Sequence, residues 1–345
     1  MTNMDPDREI FGVTPCGLQV VRKTISNGGT KASIITWGAT LQDLRVDGVE
    51  HSLVLGGERF NDYLQHFKYF GAIVGRVANR VENGQTHLNG QILVLDKNED
   101  EKTSLHGGFY GSSEQNWTID YATDCTCKLS LIMPDGQGGY PGNLKLSVIY
   151  HIDAEGSLNL VVEGQSDKDT YCNPAHHTYW NLSNEPDVRG HFITIDADYY
   201  LQINSDKIPK LAPSEVEGTQ FDYRLKRELK RSGEAVLDHN FCLNNAGIFK
   251  RVCVLEAGSL RLELETDAIG LQVYDGDHLN VLSAKTHTNK AYKRNAGLAI
   301  EPQFWPNAPN NPLYPSILLK SGDIFTQTSK WRLTKLDSAV RSQNM

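Results

Sequence analysis

The chain has 345 residues, a net charge of −8 and a pI near 5.8, a balance that argues against a nucleic-acid footprint. With 39% hydrophobic and 22% charged residues the composition is that of an ordinary globular protein, and no apolar run approaches the length of a membrane span. The opening Met1-Thr2-Asn3-Met4-Asp5-Pro6-Asp7 has neither a basic nor an apolar region of the kind a secretory signal carries.

Strands are predicted from the first third onward. Leu18–Val21, Lys31–Trp37 and Leu41–Val46 are β-rich, and Asn27-Gly28-Gly29 and Gly38-Ala39 punctuate them. The rhythm recurs at Gln91–Leu95, Leu144–Tyr150, Leu158–Val162 and Leu260–Leu264. The last two alternate polar and apolar residues, as half-exposed antiparallel strands do. Long amphipathic helices do not alternate with these strands, which excludes a doubly wound parallel sheet and leaves a β-sandwich or barrel. Tyr223–Arg231 is the most helical stretch, its charges read as a solvated face. No linker or repeat divides the chain, so a single domain over 1–345 is expected.

Six cysteines, at 16, 125, 127, 172, 242 and 253, are scattered through the chain. They are expected to be reduced thiols of a cytoplasmic protein. Cys125-Thr126-Cys127 is too tight for a zinc pair and has no second pair at zinc spacing, so no metal is expected. The glycine-rich stretches Gly71–Arg76, Leu105–Gly108 and Asp135–Gly142 lack the phosphate-loop pattern and read as tight turns.

Two stretches carry chemistry. In Ala296-Gly297-Leu298-Ala299-Ile300-Glu301-Pro302 an apolar strand delivers one carboxylate. Pro302 cannot donate to a ladder, so pairing is expected to break there and leave Glu301 at the rim of a sheet. A partly desolvated carboxylate of this kind is a general-base candidate; an ion-paired strand-end glutamate is the plainer reading. In Asn173-Pro174-Ala175-His176-His177-Thr178-Tyr179-Trp180-Asn181-Leu182, strand alternation puts Asn173, His177, Tyr179 and Asn181 on one face. His176, Thr178, Trp180 and Leu182 fall on the other, more apolar face. The first face suits a polyhydroxylated ligand, and a structural or a catalytic His177 both remain open. Asp238 and Gln272 each place a polar group in a β-like run, and Asn79 and Arg80 adjoin another. A sugar hydroxyl would supply the partner that such groups need when buried. A Glu301–Asp238 pair keeps glycoside hydrolysis open.

Taken together, the chain resembles the aldose 1-epimerase (galactose mutarotase) family. The resemblance rests on pieces in that family's order. They are Gly38-Ala39, Phe70–Val81, Leu105-His106-Gly107-Gly108, Gly138–Leu144 and His177–Leu182, followed by Gly218–Arg224, Asp238–Phe241, Gln272-Val273-Tyr274 and Glu301–Ala308. It implies an all-β supersandwich and anomer interconversion of a free aldose without a cofactor. It also implies Glu301 as general base, His177 as general acid, and Asn79, Arg80, His106, Asp238 and Gln272 as sugar contacts, with Tyr179 joining them from the His177 face. The implied partner is a monosaccharide, with no nucleic acid or membrane, acting as a monomer or homodimer. A hexose-6-phosphate epimerase and a non-catalytic sugar-binding relative are the alternatives; the phosphate reading needs a basic cluster, for which 224–231 is the candidate. His176 and Asn307 depart from the residues common at their positions, and 274–278 is unusually acidic, which leaves the preferred sugar open. A carboxylate base and an imidazolium acid predict a bell-shaped pH profile, its acid limb from Glu301 and its alkaline limb from His177.

Overall fold

In the computed structural model, residues 8–229, 236–244 and 246–336 are described. Among them the chain is almost entirely antiparallel β-structure, and the one α-helix is the short Phe60–Gln65. The first four strands, Arg8–Val13, Gln19–Asn27, Thr30–Ile35 and Thr40–Val46, form a meander. A nine-stranded sheet carries Thr126–Met133, Leu144–Ile152 and Leu158–Ser166 side by side. It continues through Ile324–Lys335, Leu260–Thr266 and Lys250–Ala257. A six-stranded sheet runs Tyr179–Trp180, Leu298–Gln303, Gly270–Tyr274, Asp238–Cys242, Tyr199–Tyr200 and Ser214–Glu215.

The two large sheets share one core. Leu146, Val148, Leu262, Leu264 and Trp331 of the first meet Phe241, Leu271, Val273, Leu298 and Ile300 of the second. The Trp180 and Trp331 rings lie 4.8 Å apart across the gap. Period-two alternation explains the nine-stranded sheet: Leu158–Ser166 buries every second side chain. Leu298–Gln303 is instead buried throughout, because its second face is roofed by other segments rather than by water. On that roofed face Tyr179, Ala299, Glu301, Gln272, Tyr274, Asp238 and Asn240 lie on one side of the sheet by alternation and register.

Three expectations are corrected. Pairing does not break at Pro302: Leu271 opposes it and Gly270 opposes Gln303, so Glu301 lies inside the ladder, opposite Gln272. The Pro302 carbonyl accepts from the Gln327 side chain of the other large sheet. In an antiparallel strand the N–H and C=O of one residue point the same way. The missing donor of Pro302 therefore faces away from the 270–274 neighbour, and the ladder loses nothing. Second, residues 223–229 are not helical; Arg227–Glu228 pairs with Phe192–Ile193 at a sheet edge, and Lys230 and Arg231 lie outside the described residues. Third, 173–182 is not one strand. Ala175–His176 pairs with Ile73–Val74, and Tyr179–Trp180 with Leu298–Ala299.

Candidate active site

Glu301 is 2% and His177 5% exposed, and Nε2 of the imidazole lies 3.5 Å from Oε1 of the carboxylate. That is beyond a good hydrogen bond but close enough for one proton to serve both groups. Glu301 Oε2 and His177 Nδ1 are buried without a protein partner. Unpartnered buried polar atoms are costly, and a bound water or ligand would supply the partners these two lack. Burial, reinforced by the Asp238 charge and opposed by Arg80, pushes the Glu301 carboxyl well above the ordinary carboxylate range. Burial pulls His177 down to about 4, with a backbone contact and Asp238 opposing the fall. Both shifts favour the neutral forms.

The histidine is held by backbone. Its N–H donates to Ala72 O and its carbonyl accepts from Gly71 N, both at 2.9 Å. Gly71 has φ +66°, and a Cβ there would lie 2.3 Å from the Leu41 carbonyl oxygen, so only glycine fits this turn. His177 and His176 point apart. His177 packs on Tyr179 at 5.0 Å and on His106 at 5.2 Å. His176 bonds Thr178 Oγ1 at 2.8 Å and packs on Tyr150 of the core.

His106 follows the short pairing of Ser104–Leu105 with Arg80–Val81. It has φ +51°, and its Nδ1 accepts from the Asn79 N–H at 3.1 Å. That bond assigns the ring proton to Nε2 and makes that edge of the ring a donor. Asn79, at φ +60°, turns its Oδ1 onto the Arg80 N–H at 2.8 Å. Arg80 forms a bidentate pair with Glu99, 2.7 Å at both contacts. Gln272 donates to Asp238 Oδ1 at 2.7 Å, and Lys207 lies 3.2 Å from Asp238 Oδ2. Tyr179 packs on Phe70 at 4.6 Å, and its hydroxyl has no hydrogen bond to the described residues.

The roofed face therefore presents one buried carboxylate and one buried imidazole 3.5 Å apart, flanked by donors and acceptors fixed by other protein groups. No group of histidine, cysteine or carboxylate side chains suited to a metal ion occurs among the described residues.

The model of the aldose 1-epimerase family matches residues 22–332. The galactose mutarotase of Rattus norvegicus is 36% identical over 340 residues, spanning 95% of this chain and 98% of that one. The aldose 1-epimerase of Haemophilus influenzae is 34% identical, spanning 90% and 94%. This chain belongs to the aldose 1-epimerase family. Among solved structures, an aldose epimerase homologue from C. elegans superposes with a TM-score of 0.87 at 27% identity, over 92% of this chain and all of that one. A galactose 1-epimerase from Lactobacillus acidophilus superposes with a TM-score of 0.84 at 28% identity, over 96% and 98%.

Within this aldose 1-epimerase fold, two residues placed on the His177 face by sequence are engaged elsewhere. Asn173 exchanges hydrogen bonds with the Phe304 backbone, and Asn181 donates to the Ala296 and Glu185 carbonyls. The unusual positions also point away from the pair. Asp275 accepts from Leu237 N and Asp277 N, Asp277 pairs with Arg294, and Asn307 accepts from Glu82 N. Sequence reasoning passed over Tyr69, Glu99, Lys207 and Asn240. Asn240 was reachable by alternation from Asp238. Glu99 sits in an undistinguished polar run, and nothing local marks it as the partner of Arg80.

Proposed function

We propose that this aldose 1-epimerase interconverts the α and β anomers of a free aldose by acid–base ring opening, with Glu301 and His177 as the proton-transfer pair. The observation that carries the reading is a buried imidazole and a buried carboxylate 3.5 Å apart, the carboxylate with an unpartnered oxygen. Glu301 removes the proton of the anomeric hydroxyl while His177 gives one to the ring oxygen, and the C1–O5 bond breaks to the aldehyde. Rotation about C1–C2 presents the other carbonyl face. Closure returns the Glu301 proton to the carbonyl oxygen, and His177 takes back the O5 proton. The proton therefore sits on His177 with the ring form and on Glu301 with the open form, and its number never changes. The neutral bias of the empty pair matches the second arrangement; Arg80, which favours ionised Glu301, supports the first. Each such group contributes about 10²–10⁴-fold.

Asn79, Arg80, His106, Tyr179, Asp238 and Gln272 are cast as sugar contacts, each held by neighbours before substrate arrives, which limits the ordering that binding requires. A free sugar is favoured over a hexose 6-phosphate. Arg80 and Lys207 are already paired with Glu99 and Asp238. The 224–227 cations are engaged too: Arg224 with Asp222, Lys226 with Glu256 on the nine-stranded sheet, and Arg227 donating to the Gln220 carbonyl. A cytoplasmic setting accords with the six cysteines, all free. No helix among the described residues is long and apolar enough to cross a membrane.

Polarimetry on freshly dissolved α-anomers of glucose, galactose, xylose and arabinose tests the reading. Galactose is tried first because relatives are named for it. Faster decay of rotation than in buffer is expected for at least one sugar; buffer rates for all four would end the proposal.

A further inference from the structure

Tyr69 stands beside the proton-transfer pair with a backbone its residue type disfavours. Its φ is +69°, a left-handed conformation that is a genuine outlier for a bulky side chain. Such strain persists only where the surroundings over-determine it, and it concentrates at functional sites. Here the surroundings are visible. The turn is closed by Ala72 N donating to Tyr69 O at 3.1 Å, and the same turn supplies Gly71 N and Ala72 O to the two backbone groups of His177. The conformation swings the half-buried ring onto both imidazoles, 4.6 Å from the His106 centroid and 5.9 Å from that of His177. Lys68 lies 5.0 Å from the Tyr69 ring centroid and is drawn by Glu114 at 3.3 Å.

We propose that Tyr69 is a positioning residue: its ring, locked in the left-handed turn that is stitched to His177, clamps His106 and His177 in register and keeps water from the His177 imidazole. The clamp acts through the ring face, not the phenol. It rests on the reading of Glu301 and His177 as the proton-transfer pair. Other titratable groups also face His177. These are Glu301 at 3.5 Å, Tyr179 at 5.0 Å, His106 at 5.2 Å and His176 next in the chain, with Asp238 raising its proton affinity. All of them remain when Tyr69 is changed, so the clamp is separable.

Tyr69→Phe keeps the ring. Tyr69→Asn removes it but suits the left-handed backbone, because asparagine tolerates that region, and so is the variant expected to fold. Kinetics by polarimetry are expected to leave Tyr69→Phe near wild type and to lower kcat of Tyr69→Asn by about tenfold or more, with KM changed less. The acid limb of kcat/KM is expected to move up by about one pH unit in Tyr69→Asn alone, as water reaches the imidazole. NMR titration of the His177 ring in the sugar-free protein should report the same upward move and needs no turnover. If wild type shows no mutarotation, the functional reading fails and the ring titration alone judges the clamp. An unshifted His177 titration in Tyr69→Asn overturns the proposal, as does a loss in Tyr69→Phe equal to that in Tyr69→Asn.

Discussion

Burial gives Glu301 and His177 proton affinities opposite to those that sequence reasoning assigned. The empty pair keeps one proton between the pH at which His177 gains a second, about 4, and the higher pH at which Glu301 loses the last. The kcat/KM profile is therefore expected to be bell-shaped, its acid limb reporting His177 and its alkaline limb Glu301; these are macroscopic values of the pair. An alkaline limb that survives unchanged in Glu301→Gln would refute this order. Glu301→Gln itself is expected to lower turnover by about 10²–10⁴-fold, or about 3–5 kcal/mol of barrier, while sugar affinity largely persists. Stability should move the other way. The folded state binds the Glu301 proton above the pH at which the unfolded state releases it, so this group's contribution falls as pH rises past the ordinary carboxylate range. Glutamine has no charge to desolvate. The melting temperature of Glu301→Gln relative to wild type should then climb with pH, which calorimetry at several pH values measures.

At the scale of elements, the motif Gly75-Arg76-Val77-Ala78-Asn79-Arg80 gives its two arginines different partners. Arg80 forms its bidentate pair with Glu99. Arg76 is wholly buried and donates to the carbonyls of Met133, Pro134, Pro141 and Gly142 and to Thr170 Oγ1. Burial brings its guanidinium down to about 10, so it remains a cation at neutral pH without a carboxylate partner. It pins the 133–142 loop to the segment that leads into Asn79 and Arg80. Arg76→Met would leave four carbonyls without their donor; at about 1–3 kcal/mol per orphaned group, a loss of at least ~3 kcal/mol is expected in urea unfolding. Arg76→Lys should rescue little, because an ammonium lacks the planar fork. A stability within ~1 kcal/mol of wild type in Arg76→Met would refute the pinning role.

For the whole molecule, His106, His176, His177, His191 and His239 are all held below the ordinary imidazole value, chiefly by burial. The unfolded chain takes up their protons first, so this contribution is whole above about pH 6.5 and is lost as pH falls towards the folded values. Each histidine titrating only in the unfolded state removes ~1.4 kcal/mol per pH unit across that window. The denaturation midpoint should fall steeply between about pH 6.5 and 4.5. His176→Asn should flatten the fall while keeping most activity, because His176 faces the core; an unchanged slope would show that His176 is not one of the sensing groups. The six thiols add a further test. Labelling of the unfolded, unreduced protein is expected to count six free cysteines, and a stable disulfide would contradict the free thiols and the cytoplasmic reading.

Period-two patterning at Leu158–Val162 and Leu260–Leu264, the turn glycines and the apolar run into Glu301 determined the all-β class and singled out the carboxylate, because one side of a sheet must face the core and alternation records which. The same alternation separated His176 from His177, although 173–182 proved to hold two short strands rather than one. Tertiary structure alone decided what surrounds those groups. The bidentate Glu99 on Arg80, the Lys207–Asp238 pair, the Tyr69 clamp and the Gln327 contact at Pro302 join residues 19, 31, 108 and 25 positions apart. No local pattern encodes such pairings. The proton affinities of Glu301 and His177 belong to the same class, since desolvation depends on what the whole fold packs over a group and not on its neighbours in the chain.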